Sequence, residues 1–151
     1  MLTLVTAPVS EPISATDAQN HLRVGVDGAD ASLIDAFRQA AREAVESDVC
    51  RAIMPQTWRL TLPCFPACDG AITIPLPPLT AVSSITYRDT AGASQTLSSD
   101  DYQVEAPAGP YAAPGRVRPV YGVSWPDTQP DTLAAVTVTF TCGYDTAAEV
   151  P

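Results

Sequence analysis

The chain has 151 residues, 46% of them hydrophobic and 17% charged, a balance that belongs to folded globular chains and allows one ordinary core. Eight basic residues stand against seventeen acids, a net charge of −9. That excludes a protein whose main task is gripping phosphates, because such affinity comes from clustered cations displacing counterions.

Residues 2–6 (LTLVT) read as a short extended lead-in ended by Pro8. Ser14 to Asp17 is a capping-type helix start, with Asp where Glu or Gln is usual. A short helix through Leu22 follows, with Ala18 and Leu22 expected to face inward. Gly25 and Gly28 punctuate a loop before the longest periodic stretch in the chain.

That stretch runs from Ala31 to Ile53. Leu33, Ile34, Phe37, Ala41, Ala44, Val45, Val49 and Ile53 recur at three- and four-residue steps and line one face of a helix. Asp35, Arg38, Arg42, Glu43, Glu46, Asp48 and Arg51 are expected on the other face, in water. Asp30 is expected to cap the first turn through its carboxylate, and Pro55 to stop the helix. No second long helix is present to cover the apolar face. It must rest on a sheet, or take its partner from another chain or from residues outside this one.

After Pro55 the period changes to two. Trp58, Leu60 and Leu62 alternate with Arg59 and Thr61 in one strand, and Ile72 and Ile74 share a face of a second within Ala71–Leu76. PLPPL reads as a rigid extended linker. Val82–Arg88 forms a strand with Ile85 and Tyr87 in phase, then Asp89 to Gly92 turns the chain. A short arm, Gln95 to Leu97, and a strand Asp101–Glu105 follow. Residues 106–116, rich in Pro, Gly and Ala, read as a loop that packs poorly. RVRPVYGVSWP is a strand broken at Pro119 and so is expected at an edge. Ala135–Thr141 is the clearest strand, with Val136, Val138 and Phe140 on one face and threonines on the other. The fold class is α+β, a short-plus-long helical hairpin followed by a small, mostly antiparallel β unit. The expected division is 1–55 helical, 56–146 β, and 147–151 the start of a further helical segment.

Candidates for chemistry are few. No run approaches the roughly 20 apolar residues of a membrane-spanning helix, and MLTLVTAPVSEP lacks the regions of a secretory signal. The four cysteines, Cys50, Cys64, Cys68 and Cys142, are therefore expected as thiols. Cys64 and Cys68 form the one close pair, but zinc needs two more ligands, and His21, Cys50 and Cys142 are not paired in sequence. His21, the only histidine, reads as a helix-end residue rather than a catalytic base. Asp100, Asp101 and Glu105 read as a solvated acidic loop. No phosphate-loop, dinucleotide or EF-hand motif is present, so no cofactor or metal is expected. Arg116 and Arg118, near Tyr121 and Trp125, form the one basic-plus-aromatic patch. These residue types anchor protein interfaces.

Taken in order, LVTAP with EPIS, HLRV, DASLIDAFRQAAREAVE, QTWRLTL, PLPPLTAVSSITYRD, DYQVE, GRVRPVYGVSWP, AVTVTFTCGY and AEVP resemble the tailed-phage head–tail connector (head-completion or adaptor) proteins, found also in prophages and gene transfer agents. The resemblance covers Leu2 to Pro151. It implies a structural, non-catalytic subunit of the particle neck. Copies would form a ring, typically twelvefold, docked on the portal protein and holding the next neck component, a head-closure or stopper protein. DNA would pass through without sequence-specific binding. The family also carries helical segments after the position matching Ala147–Pro151, and this sequence departs from it by ending there. The competing reading is a non-catalytic carbohydrate- or receptor-binding β module, for which Tyr111, Tyr121 and Trp125 would be the aromatic contacts.

Overall fold

The computed structural model describes residues 1–24 and 30–150, so the loop expected around Gly25 and Gly28 lies outside the described residues. Ten regular elements follow in order: β1 (Leu2–Thr6), α1 (Ala15–Leu22), α2 (Ala31–Val49), β2 (Gln56–Leu62), β3 (Ile72–Ile74), β4 (Leu79–Arg88), β5 (Ser94–Thr96), β6 (Tyr102–Glu105), β7 (Gly115–Pro119) and β8 (Val136–Cys142). Short helix, long helix and antiparallel β unit make the fold α+β.

Two antiparallel sheets form, one in the order β1-β2-β8-β4-β5 and a smaller one in the order β3-β7-β6. β8 is the centre of the larger sheet because its alternation is the cleanest. Val136, Val138, Phe140 and Cys142 are fully buried while Thr137, Thr139 and Thr141 are half-buried on the opposite face. Leu60 of β2, Ile85 of β4 and Ile72, Ile74 and Val117 of the smaller sheet join the same core. Residues 2–6, expected as a short extended lead-in, are extended and do more than lead in. They pair with β2, Leu2 opposite Leu60, and form the edge strand of the larger sheet.

Several local expectations change once neighbours are present. β7 is the middle strand of its sheet, not an edge. Pro119 is tolerated because it stands at the strand's last position, opposite Tyr102, where the ladder is ending. PLPPL bends rather than extends, with Leu76 at φ 61 and a cis Pro77–Pro78 bond. Loop 106–114 is pinned: Arg51 donates to Ala112 O at 2.8 Å, the Tyr144 hydroxyl donates to Pro110 O at 2.7 Å, and Ala112 is buried.

The helices also depart from expectation. α2 ends at Val49, four residues short, because Cys50 takes the left-handed conformation at φ 52 and its N–H closes on Glu46 O. Asp30 begins α2 with helical φ and ψ and no side-chain cap bond, since only an extended N-cap aims its side chain at the first-turn amides. Ser14, which is extended at ψ 155, does cap α1 by accepting from Asp17 N. In α1 the buried side chain is Gln19, and Leu22 is 56% exposed.

Candidate interaction surfaces

The strongest departure from binary patterning lies on α2. Arg42, expected in water, is buried, and its side chain sits between two carboxylates. Nε donates to Glu11 Oε2 at 2.8 Å and Nη1 to Glu46 Oε2 at 2.7 Å. Burial opposes the Arg42 charge, but the bonds and charges of Glu11 and Glu46 outweigh it and raise its pKa above the ordinary value. Glu46 Oε1 also accepts from the Ile53 amide and from Gln56 Nε2, both at 2.7 Å. One carboxylate thus ties the helix to the chain leading into β2.

Because a polar clamp holds α2, its apolar face does not rest on the sheet. Among its apolar side chains only Ile34 is buried, whereas Leu33, Phe37, Val45 and Val49 stay 47–63% exposed. α1 packs beside α2, and the two enclose an open apolar groove of about 630 Å³, lined by Ile13, Ala18, Leu22, Phe37, Ala41 and Val45 among others. His21, in the last turn of α1, also lines it and is exposed. Of the partners open from periodicity, the chain's own sheet is now removed.

Arg116 and Arg118 alternate with buried Gly115, Val117 and Pro119 and stand on the exposed face of the smaller sheet. Glu105 lies across from Arg116 and Gln103 across from Arg118. Neither guanidinium is within bonding distance of an acceptor among the described residues. Tyr121 is fully exposed on the turn that follows. Trp125 is not exposed with it: its ring stacks on Phe65 at 4.7 Å and 7°, and Nε1 donates to Gly70 O at 2.9 Å. Asp69 accepts from the Trp125 amide and the Ser124 hydroxyl. Trp125 therefore holds the loop, and Tyr121 is what the loop presents.

The remaining candidates are scattered. Cys50, Cys64 and Cys68 are exposed and Cys142 is buried in β8, where burial pushes its thiol up to about 12. Asp100 and Asp101 sit in a 3-10 turn before β6, and Glu105 is at the far end of that strand. Among the described residues no group of three or more His, Cys, Asp or Glu could hold a metal ion, and no helix is long and apolar enough to cross a membrane.

The distinctive features are an open apolar groove on the helical hairpin and an exposed arginine-bearing face on the smaller sheet. No protein-family model matches the chain, and no curated protein matches it in sequence. Solved structures do. A chain in the neck of an empty gene transfer agent (GTA) particle, computed with C6 symmetry, superposes with a TM-score of 0.77 at 25% identity, covering 100% of this chain and 75% of that one. Chains of the native GTA virion (TM-score 0.75, 24% identity, 100% and 76%) and of the native GTA neck computed with C12 symmetry (0.69, 24%, 100% and 74%) share the fold. The chain is similar along its whole described length to neck components of phage-like particles, and this bears out the resemblance to head–tail connectors.

Proposed function

We propose that this chain is a structural, non-catalytic subunit of the neck of a phage or phage-like particle, located in the virion and assembled in the bacterial cytoplasm. Copies form a ring between two partners, the portal protein on one side and a head-closure or stopper protein on the other. DNA passes through the ring without sequence-specific contact, in keeping with a net charge of −9. The observation that carries this reading is the match to GTA neck chains over 100% of the chain. Arg116 and Arg118, exposed on the middle strand of the smaller sheet, and the exposed Tyr121 support it as candidate contact residues, because arginine and tyrosine are among the types that anchor interfaces.

Quantitative mass spectrometry of purified, DNA-filled particles tests the proposal. The expected result is about twelve copies per portal ring, the number that a C12 neck accommodates. Absence from particles refutes it, and a glycan-binding screen of the exposed Tyr111 and Tyr121 surface then tests the carbohydrate-binding reading.

A further inference from the structure

Resting on the neck reading above, we infer that the loop joining β6 to β7, residues 106–114, is a preformed docking knob. Its tip, Tyr111, enters an apolar recess on a neighbouring protein of the neck.

The loop sequence, APAGPYAAP, holds no charged side chain, and its one polar side-chain group is the Tyr111 hydroxyl. Composition alone suggests a segment that packs poorly, yet the fold fastens it from beneath. Arg51 Nη2 donates to Ala112 O at 2.8 Å and to Pro110 O at 3.4 Å, and the Tyr144 hydroxyl donates to Pro110 O at 2.7 Å. The Ala112 amide closes the tip on Gly109 O at 3.2 Å, and Ala112 itself is buried. The residues on either side of Tyr111 are thus tied to the body of the protein, while Tyr111 stands 86% exposed. The entropy of ordering the loop is lost on folding rather than on docking. Tyrosine then offers a large contact area on only two side-chain torsions.

The surroundings select the partner. Ala106, Ala108, Pro110, Ala113 and Pro114 are exposed along the same loop, so Tyr111 stands in an apolar setting. A carbohydrate needs polar side chains beside the aromatic to satisfy its hydroxyls, and the loop supplies none. A phosphate backbone or an anionic lipid surface needs free cations. Arg51 is occupied by the loop carbonyls, Arg116 at the loop's base stands across from Glu105, and the cleft beside Pro107 and Pro110 is lined by Asp145 and Glu149. An apolar recess in a protein, with one polar group for the phenolic hydroxyl, matches what the tip presents. The reading of this chain as a neck subunit supplies protein neighbours.

Photocross-linking in purified, DNA-filled particles tests the inference, with the photoreactive p-benzoylphenylalanine substituted at Tyr111. Irradiation is expected to join this chain covalently to a neck protein, identified by mass spectrometry of the adduct. Tyr111→Ser is expected to lower the copies retained per particle about tenfold or more. The purified variant should keep the wild-type circular dichroism and melt within about 2 °C of it, because an exposed ring contributes little to the fold. An adduct to DNA or to a glycan overturns the inference, as does the absence of any adduct. Retention of Tyr111→Ser at the wild-type copy number overturns it too. Absence of the wild-type chain from particles refutes the neck reading itself, whereas the other failures, seen in particles that hold the chain at ring stoichiometry, refute the knob alone.

Discussion

Replacing Glu46 by alanine should uncouple the helical hairpin from the β unit. The Glu46 side chain is 12% exposed and that of Arg42 only 4%, so neither loses its partner to bulk water. Removal strips Arg42 of one of its two close carboxylates and leaves the Ile53 amide and the buried Gln56 amide without their acceptor. Breaking a buried pair costs about 3–5 kcal/mol, here reduced because Glu11 still holds Arg42. Each orphaned buried donor adds about 1–3 kcal/mol, less where water reaches it. The sum is about 4 kcal/mol for Glu46→Ala. Glu46→Gln keeps one carbonyl oxygen for these donors and should cost about half as much. Urea unfolding followed at 222 nm reports the helices, and tryptophan fluorescence reports Trp58 and Trp125 in the β unit. The expected outcome is a fall in the helical midpoint of about 2 M urea for Glu46→Ala, with the fluorescence midpoint moving less. Equal small shifts for both variants, or loss of both signals together at the wild-type midpoint, would refute the argument that a polar clamp joins the two parts.

Gly143→Ala should cost about 3 kcal/mol or more and lower the melting temperature by roughly 6–12 °C, because Gly143 lies at φ 114 and an added Cβ would meet Met54 O at 2.2 Å; a melt within 2 °C of wild type counts against the fold there. At pH 8 a thiol reagent should titrate Cys50, Cys64 and Cys68 rapidly, and Cys142 only after unfolding, since its thiol is buried and pushed up to about 12; four fast thiols would contradict that placement. Asp89 is held below its ordinary pKa, first by the Gln95 side chain and then by the Ala93 amide. A depressed carboxyl contributes stability above the unfolded pKa and loses it as pH falls through the folded value. Asp89→Asn should therefore be less stable than wild type at pH 7, and the gap should close as pH drops below about 3.8; a gap that widens in acid would reverse the assigned sign.

How much was legible in the sequence differs between elements for physical reasons. Strand β8 was readable because a period of two in Val136, Val138 and Phe140 is a local property, and burial on one face follows from it. The start of α1 was readable because Ser14 and Asp17 satisfy amides within the same turn. The turn at Asp89 to Gly92 was readable for the same reason, and Gly92 indeed sits at φ 82. The candidate contact residues were only partly legible. Residue type pointed to Arg116, Arg118, Tyr121 and Trp125 together, but exposure is set by what packs behind each, and Phe65 and Gly70, more than fifty residues earlier, take Trp125 inward.

Pattern alone placed Arg42 in water and the apolar face of α2 against something. The sequence by itself determined that α2 is amphipathic and that the second half of this acidic chain is β. Tertiary structure decided that Glu11, from 31 residues away, meets Arg42, that β1 closes one edge of the sheet, that β7 is central, and that the face of α2 remains open. The division follows from range. Periodicity, capping and turn chemistry act within a few residues, whereas the pairing of buried charges and the covering of a face depend on which distant segments the fold brings together.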